Sequence, residues 1–187
     1  MTTMTSNKMK TYDMVCIAIF AVLMAVCSWI AIPTAVPFTL QTFGLFLTVG
    51  VLGGKRGTFA ILIFILLGAV GIPVFSGFTG GLGILFGTTG GYIIGFLFSG
   101  LAMWCMEKLI GRKTWVLVLS MILAMTVYFA FGTAWFMVVY ARTVGPIGLS
   151  AVLGWCVVPF IIPDLLKMAL ALMLSGRLRR IIERQSQ

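Results

Sequence analysis

The chain has 187 residues, of which 61% are hydrophobic and only 9% are charged, and its mean hydropathy is +1.16. Soluble domains average about 25% charged residues, so this composition excludes a soluble globular protein and indicates an integral membrane protein. The net charge of +9 comes from basic residues at the ends of apolar segments, which argues against a nucleic-acid partner, and the absence of histidine disfavours Ser-His hydrolases, zinc sites and haem proteins.

Six apolar segments predict an all-α fold of six transmembrane helices in a single membrane domain, residues 12–182, between tails at 1–11 and 183–187. The segments cover residues 14–32, 39–53, 58–71, 87–106, 114–140 and 149–178. The second and third are short, because a helix of about 15 residues spans only about 22 Å of the roughly 30 Å hydrocarbon core. The four cysteines lie inside apolar segments without a Cys-x-x-Cys spacing, so neither a metal site nor a redox dithiol is indicated. No cofactor is expected.

The basic residues predict the orientation of these helices. With six spans, all but two of the 13 Lys and Arg residues fall on one side, the exceptions being Arg142 and Lys167. The positive-inside rule then places both termini in the cytoplasm, with the cell membrane as the location.

The last apolar segment is too long for one simple span and contains Pro159 and Pro163. Proline is well tolerated at the first helical position and poorly in a helix interior. We therefore expect the sixth span to begin at Pro163, with Asp164 in its first turn near the external face.

A glycine-rich stretch separates the third and fourth segments. Residues 71–95 hold nine of the 22 glycines, and residues 72–92 carry no charge. Non-helical backbone at membrane depth needs protein or a cavity around it, which favours an external lid over a pocket. The alternative is a connector that lies along the membrane surface.

Asp164 and Lys167 are the two charged residues well inside an apolar span, and their spacing of three places them on one helical face. Intramembrane charges usually mark a functional site, although an ion pair that merely neutralises itself is the alternative. Polar residues elsewhere are few, chiefly Gln41, Thr79 and Tyr92, together with Thr88 and Thr89. This set predicts a site for a small, mostly apolar ligand with a polar head and a carboxylate tail.

The first span carries Ala18, Ala21 and Ala25, a spacing that allows another helix to pack closely. The spacing alone is weak evidence for a surface that binds a partner subunit. The sequence also lacks a phosphate-binding Gly-Lys-Ser/Thr motif, so any ATP must be hydrolysed by another subunit.

Four ordered motifs carry a resemblance to a known family: VPFTLQT at 36–42, GAVGIPVF at 68–75, GG at 80–81 with GTTGGY at 87–92, and PDLLK at 163–167. Together they resemble the BioY family, the biotin-binding S components of energy-coupling factor (ECF) transporters. The resemblance runs over about residues 12–180, essentially the whole chain.

The resemblance implies a six-helix protein with an external biotin pocket capped by loops, and no enzymatic activity. Asp164, Lys167 and Thr79 would contact biotin, and the alanines of the first span would meet the transmembrane coupling subunit, which works with ABC-type ATPases. Members of the family can have asparagine at the position of Thr79, arginine at that of Ile93 and proline at that of Thr88. With Ile93 in place, the remaining candidates to bind a ligand carboxylate are Lys167 and, more weakly, Arg142.

Two other functions fit the same residues. One is an S component for a different vitamin. The other is a solitary carrier that uses Asp164 and Lys167 as a proton-linked pair. An intramembrane enzyme is disfavoured, because the chain has no histidine and no serine beside a plausible base.

Overall fold

The computed structural model describes residues 11–32 and 37–185, with side chains up to residue 181. The predicted N-terminal tail, apart from Thr11, and residue 36 of the first motif therefore lie outside the described residues. In chain order the elements are α1 (Thr11–Trp29), β1 (Ala31–Ile32), β2 (Phe38–Thr39), α2 (Gln41–Leu52), α3 (Gly54–Ala69), α4 (Leu82–Phe86), α5 (Gly90–Ile110), α6 (Thr114–Thr143), α7 (Leu149–Cys156) and α8 (Val158–Gln185).

The described chain is mostly helical, as predicted. Four stretches are long and apolar enough to cross a membrane: Thr11–Trp29, Gly90–Ile110, Thr114–Thr143 and Leu149–Ile181, the last of which takes α7 and α8 together. The strands β1 and β2 form an antiparallel pair in which Ala31 faces Thr39. The all-α prediction misses this pair, because two-residue strands leave no alternating pattern to detect.

The two short apolar segments form α2 and α3, of 12 and 16 residues. Every residue of α2 except Phe43 is buried, and the helix packs against α1, α3 and α8. A helix so enclosed rests on protein along its whole length. It therefore does not have to match the thickness of the bilayer by itself.

The expected start of the last helix at Pro163 is wrong. The helix α8 begins at Val158, Pro163 lies inside it, and the break from α7 falls at Val157. Pro159 takes the place in the first turn where a missing backbone N–H costs nothing. Asp164 therefore lies in the second turn of α8 and points into the protein, where it is 2% exposed.

The alanines of α1 do not lie on one outer surface, and their role in binding a partner subunit stays a prediction. Ala18 is exposed, but Ala21 and Ala25 are only 1% and 4% exposed and belong to the core of the chain itself. The small side chains of Ala21 and Ala25 let neighbouring helices pack closely inside the protein, and Gly44 on α2 has the same effect. A Cβ built on Gly44 would lie 3.2 Å from the Cβ of Cys27.

The basic connections meet at one end of the helices. Glu107 at the end of α5 accepts a hydrogen bond from the backbone N–H of Gly54 at 2.6 Å. Arg112 donates to the carbonyl of Val51 at 3.0 Å, and Arg56 pairs with Asp13 at 3.1 Å. The predicted clustering of the α2–α3 and α5–α6 connections on one side is thus present in the fold.

Candidate functional site: a cavity at the other end of the helices

A cavity of about 270 Å³ lies at the end of the helices away from the basic connections. Its volume is just below the roughly 300–1,000 Å³ of typical ligand pockets, which suits a small ligand. The predicted substrate-binding residues Asp164, Lys167, Thr79, Gln41 and Tyr92 all line it. The other lining residues are Pro37, Thr39, Thr42, Phe75, Ser76, Ile84, Thr89, Ile93, Phe96, Tyr128, Phe129, Cys156 and Phe160.

Asp164 is the centre of a buried hydrogen-bond network. Its Oδ1 accepts from Lys167 Nζ at 2.8 Å and from Thr42 Oγ1 at 2.9 Å. Its Oδ2 accepts from Tyr128 Oη at 2.6 Å. Three donors thus replace the water that a carboxylate loses on burial, and a charged acceptor makes each of these bonds stronger than a neutral one.

Lys167 is held on two sides. Besides Asp164, its ammonium contacts Thr42 Oγ1 at 3.3 Å and lies 4.8 Å from the ring centroid of Phe38. Phe38 belongs to β2 and stacks on Phe160 of α8 at 4.9 Å between ring centroids. The carboxylate and the aromatic face together compensate a charge that is only 7% exposed.

Gln41, the first residue of α2, has an unused hydrogen-bond donor. The residue is 6% exposed, and no described residue accepts a hydrogen bond from its buried Nε2. An unpaired buried amide is destabilising unless a partner is supplied. Because Gln41 lines the cavity, this donor is available to a molecule that enters it.

Tyr92 is held in place by close contact between α5 and α6. Its hydroxyl lies 3.4 Å from Thr133 Oγ1, and its ring packs over Gly132, where an added Cβ would fall 2.2 Å from a ring carbon. Trp135 packs in the same way over Gly91 and donates to the carbonyl of Gly87 at 3.0 Å. The glycines of the GTTGGY motif thereby fix this wall of the cavity.

The glycine-rich segment between α3 and α5 forms the remaining wall. Thr79 pairs with Phe75 across a tight turn, and its hydroxyl donates to the carbonyl of Ser76 at 2.9 Å. Trp29 of α1 donates to the carbonyl of Pro73 at 2.8 Å and stacks on Phe78 at 5.0 Å between ring centroids. The segment is therefore attached to α1 and borders the cavity, while its role as a lid stays a prediction.

Thr42 and Tyr128 are the residues of this network that the sequence analysis did not select. They lie 122 and 36 positions from Asp164, so no spacing along the chain connects them to it. Thr42 belongs to the VPFTLQT motif, which carries only the family resemblance, and Tyr128 offers no signal beyond a tyrosine in an apolar segment. Among the predicted residues, Thr88 does not line the cavity, whereas the neighbouring Thr89 does.

Nothing in the described part of the chain indicates a metal centre, since it contains no group of three or more Cys, Asp or Glu residues that could hold an ion.

Comparison with known proteins identifies the family. The BioY family model matches residues 2–184. A protein named biotin transporter BioY from Thermotoga maritima is 36% identical over 87% of this chain and 93% of its own length. A probable biotin transporter BioY from Pyrococcus horikoshii is 39% identical over 91% of this chain and 98% of its own length.

The fold is also known. A crystal structure described as the S-component for biotin from an ECF-type ABC transporter superposes with a TM-score of 0.79, covering 92% of this chain and 95% of that one at 24% identity. These relatives bear the names of transporters, in agreement with the prediction that the chain is not an enzyme. The family match over nearly the whole chain, together with these relatives, shows that the chain is a membrane protein of the BioY family.

Proposed function

We propose that this chain is the biotin-capturing S component of an ECF transporter in the cell membrane. The observation that carries the proposal is the cavity, which is lined by the buried Asp164–Lys167 pair and by Gln41, whose Nε2 has no acceptor among the described residues. Relatives that align over most of their length are named biotin transporters, which supports biotin as the ligand.

The chemistry of biotin suits this cavity. Its ureido ring carries two N–H donors and one carbonyl acceptor, and the rest of the molecule is an apolar ring and chain ending in a carboxylate. Asp164 offers carboxylate oxygens, while Lys167 and Gln41 offer N–H donors. Aromatic residues such as Phe96 and Phe129 supply the apolar surface that such pockets need.

The direction of uptake follows from the distribution of charge. The basic connections lie at one end of the helices and the cavity at the other. If six spans cross the membrane and the positive end is cytoplasmic, both termini are inside and the cavity opens outward. We infer that biotin is captured from outside and delivered inward.

Energy for uptake would come from partner subunits. The sequence contains no phosphate-binding loop. The proposed partners are a transmembrane coupling subunit and ABC-type ATPases, and the description of the structural neighbour as the S-component of an ECF-type ABC transporter supports such a partnership.

Equilibrium binding to the purified chain in detergent tests the proposal, with thiamine and riboflavin as controls. We expect biotin to bind at micromolar concentration or below and the two other vitamins not to bind. Failure to bind biotin at micromolar concentration would overturn the proposal, and binding of a control vitamin instead would reassign the substrate.

A further inference from the structure

The charges of the cavity are confined to its inner wall. Among the described residues that line it, only Asp164 and Lys167 are charged, and they pair with each other at 2.8 Å. Both side chains are buried. The described lining therefore offers a ligand a neutral ion pair and no separate cation.

A carboxylate at the inner wall would leave that wall with a net negative charge. Asp164 already accepts three hydrogen bonds, and Lys167 is already paired with it. A second carboxylate would lose its hydration and gain no unpaired cation in return. An uncharged polar head group loses far less on entering the same place.

The outer rim of the cavity, formed by Ser76, Thr79 and Thr89, is uncharged. Thr79 is exposed, and its hydroxyl hydrogen already bonds to the carbonyl of Ser76. Ile93, which also faces the cavity, is apolar, and Arg142 is not among the lining residues. A carboxylate at this rim keeps its water, and no cationic side chain of the described lining stands ready to bind it.

We propose that this chain does not recognise the carboxylate of its ligand, and that its substrate class includes carboxyl-neutral derivatives of biotin, such as its amide and its methyl ester. The inference rests on the proposed function, because it takes biotin as the parent ligand. It follows from a site that selects the ureido head at the inner wall and leaves the end of the chain in water.

Competition binding on the purified chain tests this proposal with biotin, biotinamide and biotin methyl ester. We expect the dissociation constants of the three compounds to agree within about threefold. A derivative that binds more than tenfold more weakly than biotin would show that the carboxylate is recognised and would overturn the inference while leaving the proposed function intact. Absence of binding by biotin itself would overturn the proposed function.

The variant Thr79→Lys provides a positive control, because an exposed rim position tolerates a long side chain. An added ammonium at the rim should tighten biotin about two- to fivefold relative to biotinamide, as expected for an exposed ion pair, and the comparison cancels any effect of losing the Thr79 side chain that both ligands share. If biotin and biotinamide respond equally to this change, the carboxylate does not lie at the rim and the inference fails.

Discussion

Asp164 and Lys167 depend on each other, because each would otherwise be an uncompensated charge in a buried place. We expect Asp164→Asn and Lys167→Met each to weaken biotin binding more than tenfold, about 1.4 kcal/mol or more. Equilibrium binding to variants that elute normally in size-exclusion chromatography measures the effect. Lys108→Met, an exposed lysine on α5, is the matched control and should bind like the parent. Parental affinity in both pair variants would make the pair purely structural.

A substitution at Gln41 should weaken ligand binding without lowering the stability of the protein. Its Nε2 has no described partner, so Gln41→Met removes an unpaired amide and keeps the volume nearly constant. We expect the unfolding temperature of the ligand-free protein to stay the same or rise, while biotin affinity falls at least fivefold. Thermal unfolding and equilibrium binding measure the two effects. A lower unfolding temperature with unchanged affinity would mean that the amide serves the fold and not the ligand.

The glycine-rich segment is the element whose movement would control access to the cavity. Ser76 and Thr79 line the cavity, whereas Gly83 of α4 does not and has open space where a side chain would be added. If the segment closes over the ligand, biotin should slow thiol labelling of Ser76→Cys, Thr79→Cys and Gly83→Cys alike.

The comparison of these positions distinguishes closure from simple shielding. Slower labelling at Ser76→Cys and Thr79→Cys alone would mean that the ligand covers them directly, and unchanged labelling at all three would leave the segment a static wall. The native Cys105 is exposed on α5 and serves as the internal control, whose labelling should not respond to biotin.

At the scale of the whole molecule, one face of α1 packs into the core and the opposite face is exposed. Ala21 is buried, so Ala21→Leu should overpack the core and lower the free energy of unfolding by about 1–3 kcal/mol. Ala18 is exposed, so Ala18→Leu should leave folding and biotin affinity unchanged. If the outer face of α1 meets the coupling subunit, Ala18→Leu should also reduce co-purification with that subunit and uptake in cells.

We would measure denaturation, biotin binding, co-purification with the coupling subunit and uptake for both variants. Equal stability of the two variants would contradict the assignment of inner and outer faces. Parental assembly and uptake in Ala18→Leu would place the coupling subunit on another surface.

Much of this protein could be predicted from the sequence, because bilayer and helix constraints act locally. The composition predicts a membrane protein, and the clusters of basic residues predict which ends of the helices lie on the same side of the membrane. The spacing of Asp164 and Lys167 places both on one helical face. The four ordered motifs predict the family without any knowledge of tertiary contacts. Polarity in an apolar setting selected the five residues predicted to bind substrate, the family resemblance implied contact with biotin for Asp164, Lys167 and Thr79, and all five line one cavity.

The tertiary structure decided what depends on contacts between distant segments. It brought Thr42 and Tyr128 to Asp164, left Gln41 Nε2 without an acceptor among the described residues, and turned Ala21 and Ala25 inward. It also placed the start of α8 before Pro163, because Pro159 fits the first turn. Sequence spacing indicates which residues share a helical face, but only the packing of helices determines whether that face meets lipid, a cavity or another helix.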